Sequence, residues 1–402
     1  MGALSSTERS CVERAADEPM LDRVLEWSAV NSGSRNLAGL DRIAQMLADA
    51  FSALPGELDL LEPSPVEDID AAGRRVSIDH GRNLHLTVRP DAPVQLLFTG
   101  HMDTVYDVDH PFQQTRWLED GVLNGPGVAD MKGGIAVMIA ALKAIESSGP
   151  ASSFGYEVVI NSDEEVGSPG SAALLAAAAR GKKAALTYEP AALPDGTLAG
   201  ARPGSGNFSL IVRGRSAHAG RNPEDGRNAV VAAADLALRL AGVKRDGLAI
   251  NPARIGGGGP NNVIPDLAIL DVNLRPRSPE DEAEARQLID EIVAIVAAEH
   301  DVAIEPHGGF GRPPKPLTAE AEALFALVRN AGADLGQTIA WKPSGGVCDG
   351  NNIAACGVPV VDTMGVRGGK IHSMEEYLIV DSLNERAALS ALTILRLAGG
   401  AA

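Results

Sequence analysis

Three apolar runs, VQLLFTG (94–100), YEVVIN (156–161) and AALTY (184–188), each give way at once to polar or acidic residues. The first is apolar without alternation, the pattern of a strand covered on both faces. Between the first two lies KGGIAVMIAALKAIESSG (132–149), rich in Ala, Ile and Met and closed by Ser-Gly, which predicts a strong helix. SAALLAAAARG supplies another helix before the third run. Strands alternating with helices predict an α/β fold, with a mixed, mostly parallel sheet and helices on both faces. Aromatic residues are only 3% of the chain, so Ala, Val, Leu and Ile must fill the core.

The texture changes after Pro203. FSLIVRGRSAH reads as a strand, NAVVAAADLALRLAG as a helix, and ARIGGGGPNNVIPDLAILDVNLRP as two strands around a turn. DEAEARQLIDEIVAIVAAEH is a long amphipathic helix, and DVAIEPHGGFGRPPKPL a strand that runs into a Pro-rich hinge. That β-α-β-β-α-β order is the split ferredoxin-like unit. The α/β texture then returns with the helix AEALFALVRNAG, the Gly-rich turn PSGGVCDGNN, the strand VPVVDTM and a final helix. A chain of 402 residues exceeds one ordinary core. The expected division is a discontinuous domain, 1–203 with 314–402, and an inserted domain, 204–313.

A net charge of -18 argues against nucleic acid, whose phosphates call for a basic surface. Cys11, Cys348 and Cys356 form no CxxC pair, and reduced thiols in a cytoplasmic protein are the simple expectation. No basic n-region followed by an apolar run opens the chain, and no apolar stretch reaches the length of a membrane span.

Metal-type ligands cluster where the predicted strands end, and open α/β sheets gather their sites at carboxyl ends of strands. His101 and Asp103 of FTGHMDTV lie two apart on a strand and face the same way, so Asp103 can orient His101. Asp130 lies between GPGVA and KGG, where glycines allow close backbone approach. Glu164 and Glu165 are adjacent carboxylates, which repel unless a cation compensates. One can bind metal while the other acts as base. Glu189 follows a strand and His372 sits far downstream in GGKIHSMEEY. Singly, each has a plainer reading: a polar strand end for His101 or Glu189, a helix N-cap for Asp130, an acidic turn for Glu164 and Glu165. As a set, two His and three carboxylates suit zinc bound through nitrogen and oxygen.

HMDTV, GPGVADMKGG, NSDEEVGS, the Glu of TYEP, GRSAHAG, NNVIP and IHSMEEY together resemble the M20 metallopeptidase family, nearest its bacterial glutamate carboxypeptidase branch. The resemblance spans nearly the whole chain in order. It implies a two-zinc catalytic domain, with cobalt or manganese as alternatives, and an inserted lid that also forms a homodimer interface. It implies that Asp130 bridges the two metals, with His101 and Glu189 at one and Glu165 and His372 at the other. Asp103 would orient His101, Glu164 would be the general base, and a cis peptide would follow Asp130. His218 of GRSAHAG would polarise the scissile carbonyl from the partner subunit. Asn262 and Arg312 would hold a substrate carboxylate, with Arg275 a further candidate or else a structural ion pair, and Gly346 would belong to a Gly-rich loop beside the substrate.

This sequence departs from the expected pattern in two places, and one is Cys348, which stands where the family's Gly-rich loop usually has a small residue. The branch uses a lysine after the metal-binding Glu, whereas EPAALPDGTLAGARPG contains only Arg202. The expected activity is therefore a carboxypeptidase or N-acyl amino-acid amidohydrolase. A deacylase of the acetylornithine or succinyl-diaminopimelate type is the alternative, and a non-catalytic binding protein on the same scaffold is a third reading.

Overall fold

The computed structural model describes residues 4–149, 153–243 and 245–399. The α/β part is built on a six-stranded sheet, in the order Glu57–Leu61, Asn83–Val88, Gly155–Asn161, Gln95–His101, Ala184–Thr187 and Val360–Val361. The last four pair in parallel, and the two at one edge pair antiparallel. Successive side chains on a strand point to opposite faces, and here both faces are dry. Leu96, Phe98, Val158, Ile160 and Leu186 enter the main core. Their neighbours Leu97, Val159 and Ala185 enter a smaller one, against Leu175 and Ile353 of the helices Ala172–Ala179 and Asp349–Ala355.

The helix Gly133–Glu146 is buried at every position except Lys143 and Glu146. It packs against Ser6–Ala16 and Asp381–Ala398. A glycine at its start lets the helix sit directly on a strand end, since a Cβ on Gly134 would lie 2.0 Å from the carbonyl oxygen of Tyr188.

Between the fifth and sixth strands of this sheet, in chain order, comes a second sheet. It is antiparallel throughout, in the order Leu248–Gly257, Leu267–Pro276, Ser205–Arg213, Ala303–Arg312. The helices Ala229–Gly242 and Pro279–His300 cover one face, and Leu210, Leu236, Leu270, Leu274, Ile289 and Val296 form its core. Ser278 and Asp281 close the start of the longer helix with a capping box. This is the ferredoxin-like unit that the element order predicts.

The structure differs from the sequence reading in several places: Glu57–Leu61 is an edge strand, and FSLIVRGRSAH is broken into Ser205–Arg213 and Ala217–His218. The second half of PSGGVCDGNN is the helix Asp349–Ala355, not a turn. Gly350 hides it, being a poor helix former, yet here it allows close packing, because a Cβ would fall 2.7 Å from that of Asp362. Short antiparallel pieces were also missed. Gly368–Gly369, Tyr377–Ile379, Val122–Asn124 and Arg116–Glu119 make a small sheet, and Val66–Ile69 with Arg75–Ile78 makes a hairpin. Strands of two to four residues carry too few positions for alternation to register.

The hairpin reaches over to the ferredoxin-like unit. Arg213 Nη2 donates to the carbonyl of Gly73 at 2.5 Å, and Arg75 pairs with Glu305 at 3.0 Å. Among the described residues no helix is long and apolar enough to cross a membrane. Cys11, Cys348 and Cys356 are free thiols.

Candidate metal centre

Strand register gathers the first ligands. His101 lies opposite Asn161, and Thr99 opposite Thr187, across parallel pairs. The three strands therefore end level, and Glu164, Glu165 and Glu189, just past their ends, meet His101 at one edge. Asp130 arrives through the Gly-rich loop, where Gly127 has φ +71° and the Asp130–Met131 peptide is cis. His372 comes from the far end of the chain, on the loop between Gly368–Gly369 and Tyr377–Ile379. Its φ of +60° is a left-handed conformation that costs a residue bearing a Cβ about 1–2 kcal/mol, the kind of local strain found where a side chain must be aimed.

The distances resolve into two triangles that share Asp130. His101 Nε2 lies 3.1 Å from Asp130 Oδ1 and 3.7 Å from Glu189 Oε2. His372 Nε2 lies 3.3 Å from Asp130 Oδ2 and 3.1 Å from Glu165 Oε2. A tetrahedral zinc site with bonds of ~2.0–2.1 Å has edges of roughly 3.3 Å. The distances from each histidine to its two carboxylates are close to such an edge, and Asp130 turns Oδ1 to His101 and Oδ2 to His372. Ligand atoms of His101, Asp130 and Glu165 lie within 4.8 Å of one another, and so do those of His101, Glu164 and Glu189, which puts Glu164 against the same cluster.

The charges point the same way. Burial pushes Glu189 up to about 8, although His101 opposes it, and pushes Glu165 up to about 7 with help from Asp130. Burial also raises Glu164 to about 8 against the pull of Arg312. For Asp130 burial is outweighed by His101 and His372, and its carboxyl is held low. Hydrogen bonds to Asp130 and then Glu165 carry His372 to about 11. Burial disfavours a charged His101, but Glu189, Asp103 and Asp130 outweigh it and hold it well up. Without cations the cluster balances itself with protons, and those are the protons that divalent ions displace on binding. The donor set, its spacing and its charge all fit a metal pair.

Asp103 lies behind His101. His101 Nδ1 is 3.0 Å from the main-chain oxygen of Asp103 and 3.4 Å from its carboxylate. That carboxylate accepts from Ser34 Oγ and from the N–H groups of Glu164 and Glu165. One aspartate therefore fixes both the histidine and the paired glutamates.

Sequence reasoning missed Glu376, although it stands inside the quoted motif IHSMEEY. It is buried, and its Oε1 accepts from the N–H groups of Ala129 and Asp130 at 3.0 and 3.1 Å. Its Oε2 accepts from Gly127 N–H and from the Tyr106 hydroxyl. It clamps the Asp130 loop to the His372 loop. Glu376→Ala should weaken metal binding by about 10–100-fold, as loss of an outer support does. Competition against a chromogenic chelator measures this, and unchanged affinity would remove Glu376 from the site.

Two clefts open beside the centre. One, of about 650 Å³, is lined by Asp130, Glu189, Arg202, Lys342, Gly346 and His372 among others. The second, of about 620 Å³, faces the ferredoxin-like unit and is lined by Glu164, Arg275, Arg312 and Gly346. Arg202 does not point a free guanidinium at the first cleft, because Nε and Nη2 grip buried Asp362 at 2.8 and 3.1 Å. Lys342 does bring an exposed cation, carried there by pairing of Trp341–Lys342 with Leu198–Ala199. Arg275 is half-buried, with Nε bonded to Asn273 and no carboxylate partner among the described residues. Arg312 is buried and bonded to Glu164 and Asp349. His218 and Asn262 lie elsewhere, exposed at the tip of the ferredoxin-like unit, where Ala217–His218 pairs with Val263–Ile264. Neither lines either cleft within one chain.

A sheet end carrying two metal-sized triangles and a spare buried glutamate defines a metal-dependent hydrolase. The chain belongs to peptidase family M20/M25/M40, whose family model matches residues 97–396. It is 31% identical over 329 residues to carboxypeptidase G2 of Pseudomonas sp. (strain RS-16), covering 80% of this chain and 78% of that one. It is 30% identical over 389 residues to succinyl-diaminopimelate desuccinylase of Maricaulis maris (strain MCS10), covering 89% and 95%. The fold matches the crystal structure of a dinuclear metal binding peptidase of the M20 family from Bacillus subtilis, with a TM-score of 0.64 at 14% identity over 96% of this chain and 99% of that one.

Proposed function

We propose that this hydrolase cleaves an amide bond next to a carboxylate-bearing amino acid, as a carboxypeptidase or N-acyl amino-acid amidohydrolase. The observation that carries the reading is Asp130 offering one oxygen to each of two histidine–glutamate pairs, with Glu164 beside them and bound to neither. His101, Asp130 and Glu189 would hold one ion, and His372, Asp130 and Glu165 the other. Zinc suits this donor set, and cobalt or manganese would also fit. Bound there, a divalent pair supplies Lewis acidity, which acidifies water and polarises a carbonyl.

The residues of the chain do the rest. Glu164 takes a proton from the attacking water as its oxygen bonds to the carbonyl carbon. It returns that proton to the amine nitrogen as the carbon–nitrogen bond breaks. Arg275 and Lys342, which form no ion pair among the described residues, flank the centre on its two sides and favour a substrate bearing carboxylates. Residues 204–313 would serve as the lid, hinged near Pro203 and Pro313. Val231 and Leu238 on its helix and Ile255 on its edge strand are exposed apolar residues, which favours a homodimer through this unit. In such a dimer His218, remote from the clefts of its own chain, would serve the partner's site with Asn262. The unpaired thiols favour the cytoplasm.

A deacylase of the succinyl-diaminopimelate type is the second reading, favoured by the length of the match to the desuccinylase. Zinc-loaded protein should be tested against N-acyl amino acids, dipeptides, N-acyl glutamates and succinylated diamino acids. Cleavage confined to succinylated diamino acids would select the second reading. No cleavage of any member would sink both and leave a binding protein.

A further inference from the structure

Arg312 is the last residue of the strand Ala303–Arg312, yet its side chain leaves the ferredoxin-like unit and enters the α/β part. Nη1 donates to Asp349 Oδ1 at 2.7 Å and to Asn352 Oδ1 at 3.1 Å. Nη2 donates to Glu164 Oε1 at 2.7 Å, to the Glu164 carbonyl at 2.9 Å and to Ser168 Oγ at 3.1 Å. The side chain is 3% exposed. Both ends of the fork are thus fully engaged before any substrate arrives.

We infer that Arg312 is a positioning residue that aims the base Glu164, and that it does not grip the substrate's carboxylate. The inference rests on the assignment of Glu164 as base. To bind a substrate carboxylate, Arg312 would have to release Glu164 or Asp349 and leave a buried carboxylate uncompensated, which is strongly unfavourable. Asp349 cannot follow the guanidinium away, because Asn161 Nδ2 and Ser168 Oγ hold it at 2.8 and 2.5 Å. The anchor is therefore built from the α/β part, and Arg312 transmits it to Glu164 through two bonds, one to the carboxylate and one to the main chain of the same residue. That double contact fixes both the position and the rotation of the base. A bidentate fork does this where a lysine, a point charge, does not. Arg275, in the same cleft with only its Nε engaged, is the guanidinium left open to a ligand.

The test is steady-state kinetics of metal-loaded Arg312→Lys on a substrate with a free carboxylate. Arg312→Lys is expected to lower kcat by about 10²-fold or more, the scale of a misplaced base, with KM changed less than threefold. In a Glu164→Asp background, whose shorter side chain no longer meets the fork, the same change should cost less than about tenfold, because coupled residues are non-additive. A KM rise of tenfold or more with kcat kept would overturn the inference, as would full additivity with Glu164→Asp. Should Arg312→Lys fold poorly, Asn352→Ala loosens the same anchor and is expected to lower kcat alone; a KM-only effect there counts against the inference. Activity surviving in Glu164→Ala would instead overturn the base assignment itself, a result separate from any Arg312 phenotype.

Discussion

Glu164→Ala is expected to cut kcat by about 10²–10⁴-fold, the usual contribution of a positioned general base, while the protein still takes up two metal ions per chain. The two halves of that result belong together. Glu164 lies within 4.8 Å of His101 and Glu189 but forms no ion pair with either histidine among the described residues, so its removal is expected to leave both proposed ligand sets in place. Its side chain is nonetheless only 10% exposed and beside them, where burial raises its carboxyl to about 8 without metal. Single-turnover assays with metal analysis by mass spectrometry give both readings from one sample. A variant that loses metal and activity together would show that Glu164 is a ligand. One that keeps both would show that another group moves the proton.

Asp130→Ala should be more severe, abolishing activity and both metal sites at once, because each triangle loses its shared corner. Chelation of the wild type should reproduce the loss and metal addition should reverse it. The metal-free protein also has a predictable pH response. Folded Glu165 and Glu189 hold protons up to about 7 and about 8, which an unfolded chain releases near the ordinary glutamate range. The folded state thus binds more protons between these values, and its stability falls as pH rises. The histidines push in the same direction, since their folded values are also raised. Melting of the chelated protein should drop between pH 5 and pH 8, and metal loading should flatten that slope. A flat apo profile would mean that the ligands are not held together without metal.

Whereas the half-exposed edge strand Glu57–Leu61 gave no comparable signal, the sequence disclosed the inner strands of the large sheet, Gln95–His101, Gly155–Asn161 and Ala184–Thr187, because they are buried on both faces. It disclosed the ferredoxin-like unit because two amphipathic helices punctuate long strands. It marked out His101, Asp130, Glu165, Glu189 and His372, which the structure gathers at one sheet end, because metal-type residues recur wherever its buried strands stop. Partnership was not legible. Arg202, Arg275 and Arg312 are alike as letters, yet Arg202 is tied to Asp362, Arg312 to Glu164 and Asp349, and Arg275 to no acid among the described residues. Glu376 looked like one more acidic residue in a chain of net charge -18. Lys342 lies far from Glu189 in the chain, and only the pairing of two dipeptide strands brings it to the cleft.

The hairpin Val66–Ile78 has a mechanical consequence. It is rooted in the α/β part but leans on the ferredoxin-like unit through Arg213, Glu305 and His307. A hinge at two chain crossings alone would leave that unit free to swing like a door. For the lid proposed above, a third point of attachment away from the hinge would limit its travel to that of a door on a short chain. Part of this restraint, the exposed Arg75–Glu305 pair, is electrostatic and weakens with added salt. Added ionic strength would then slacken that chain while leaving the buried cluster behind the door untouched.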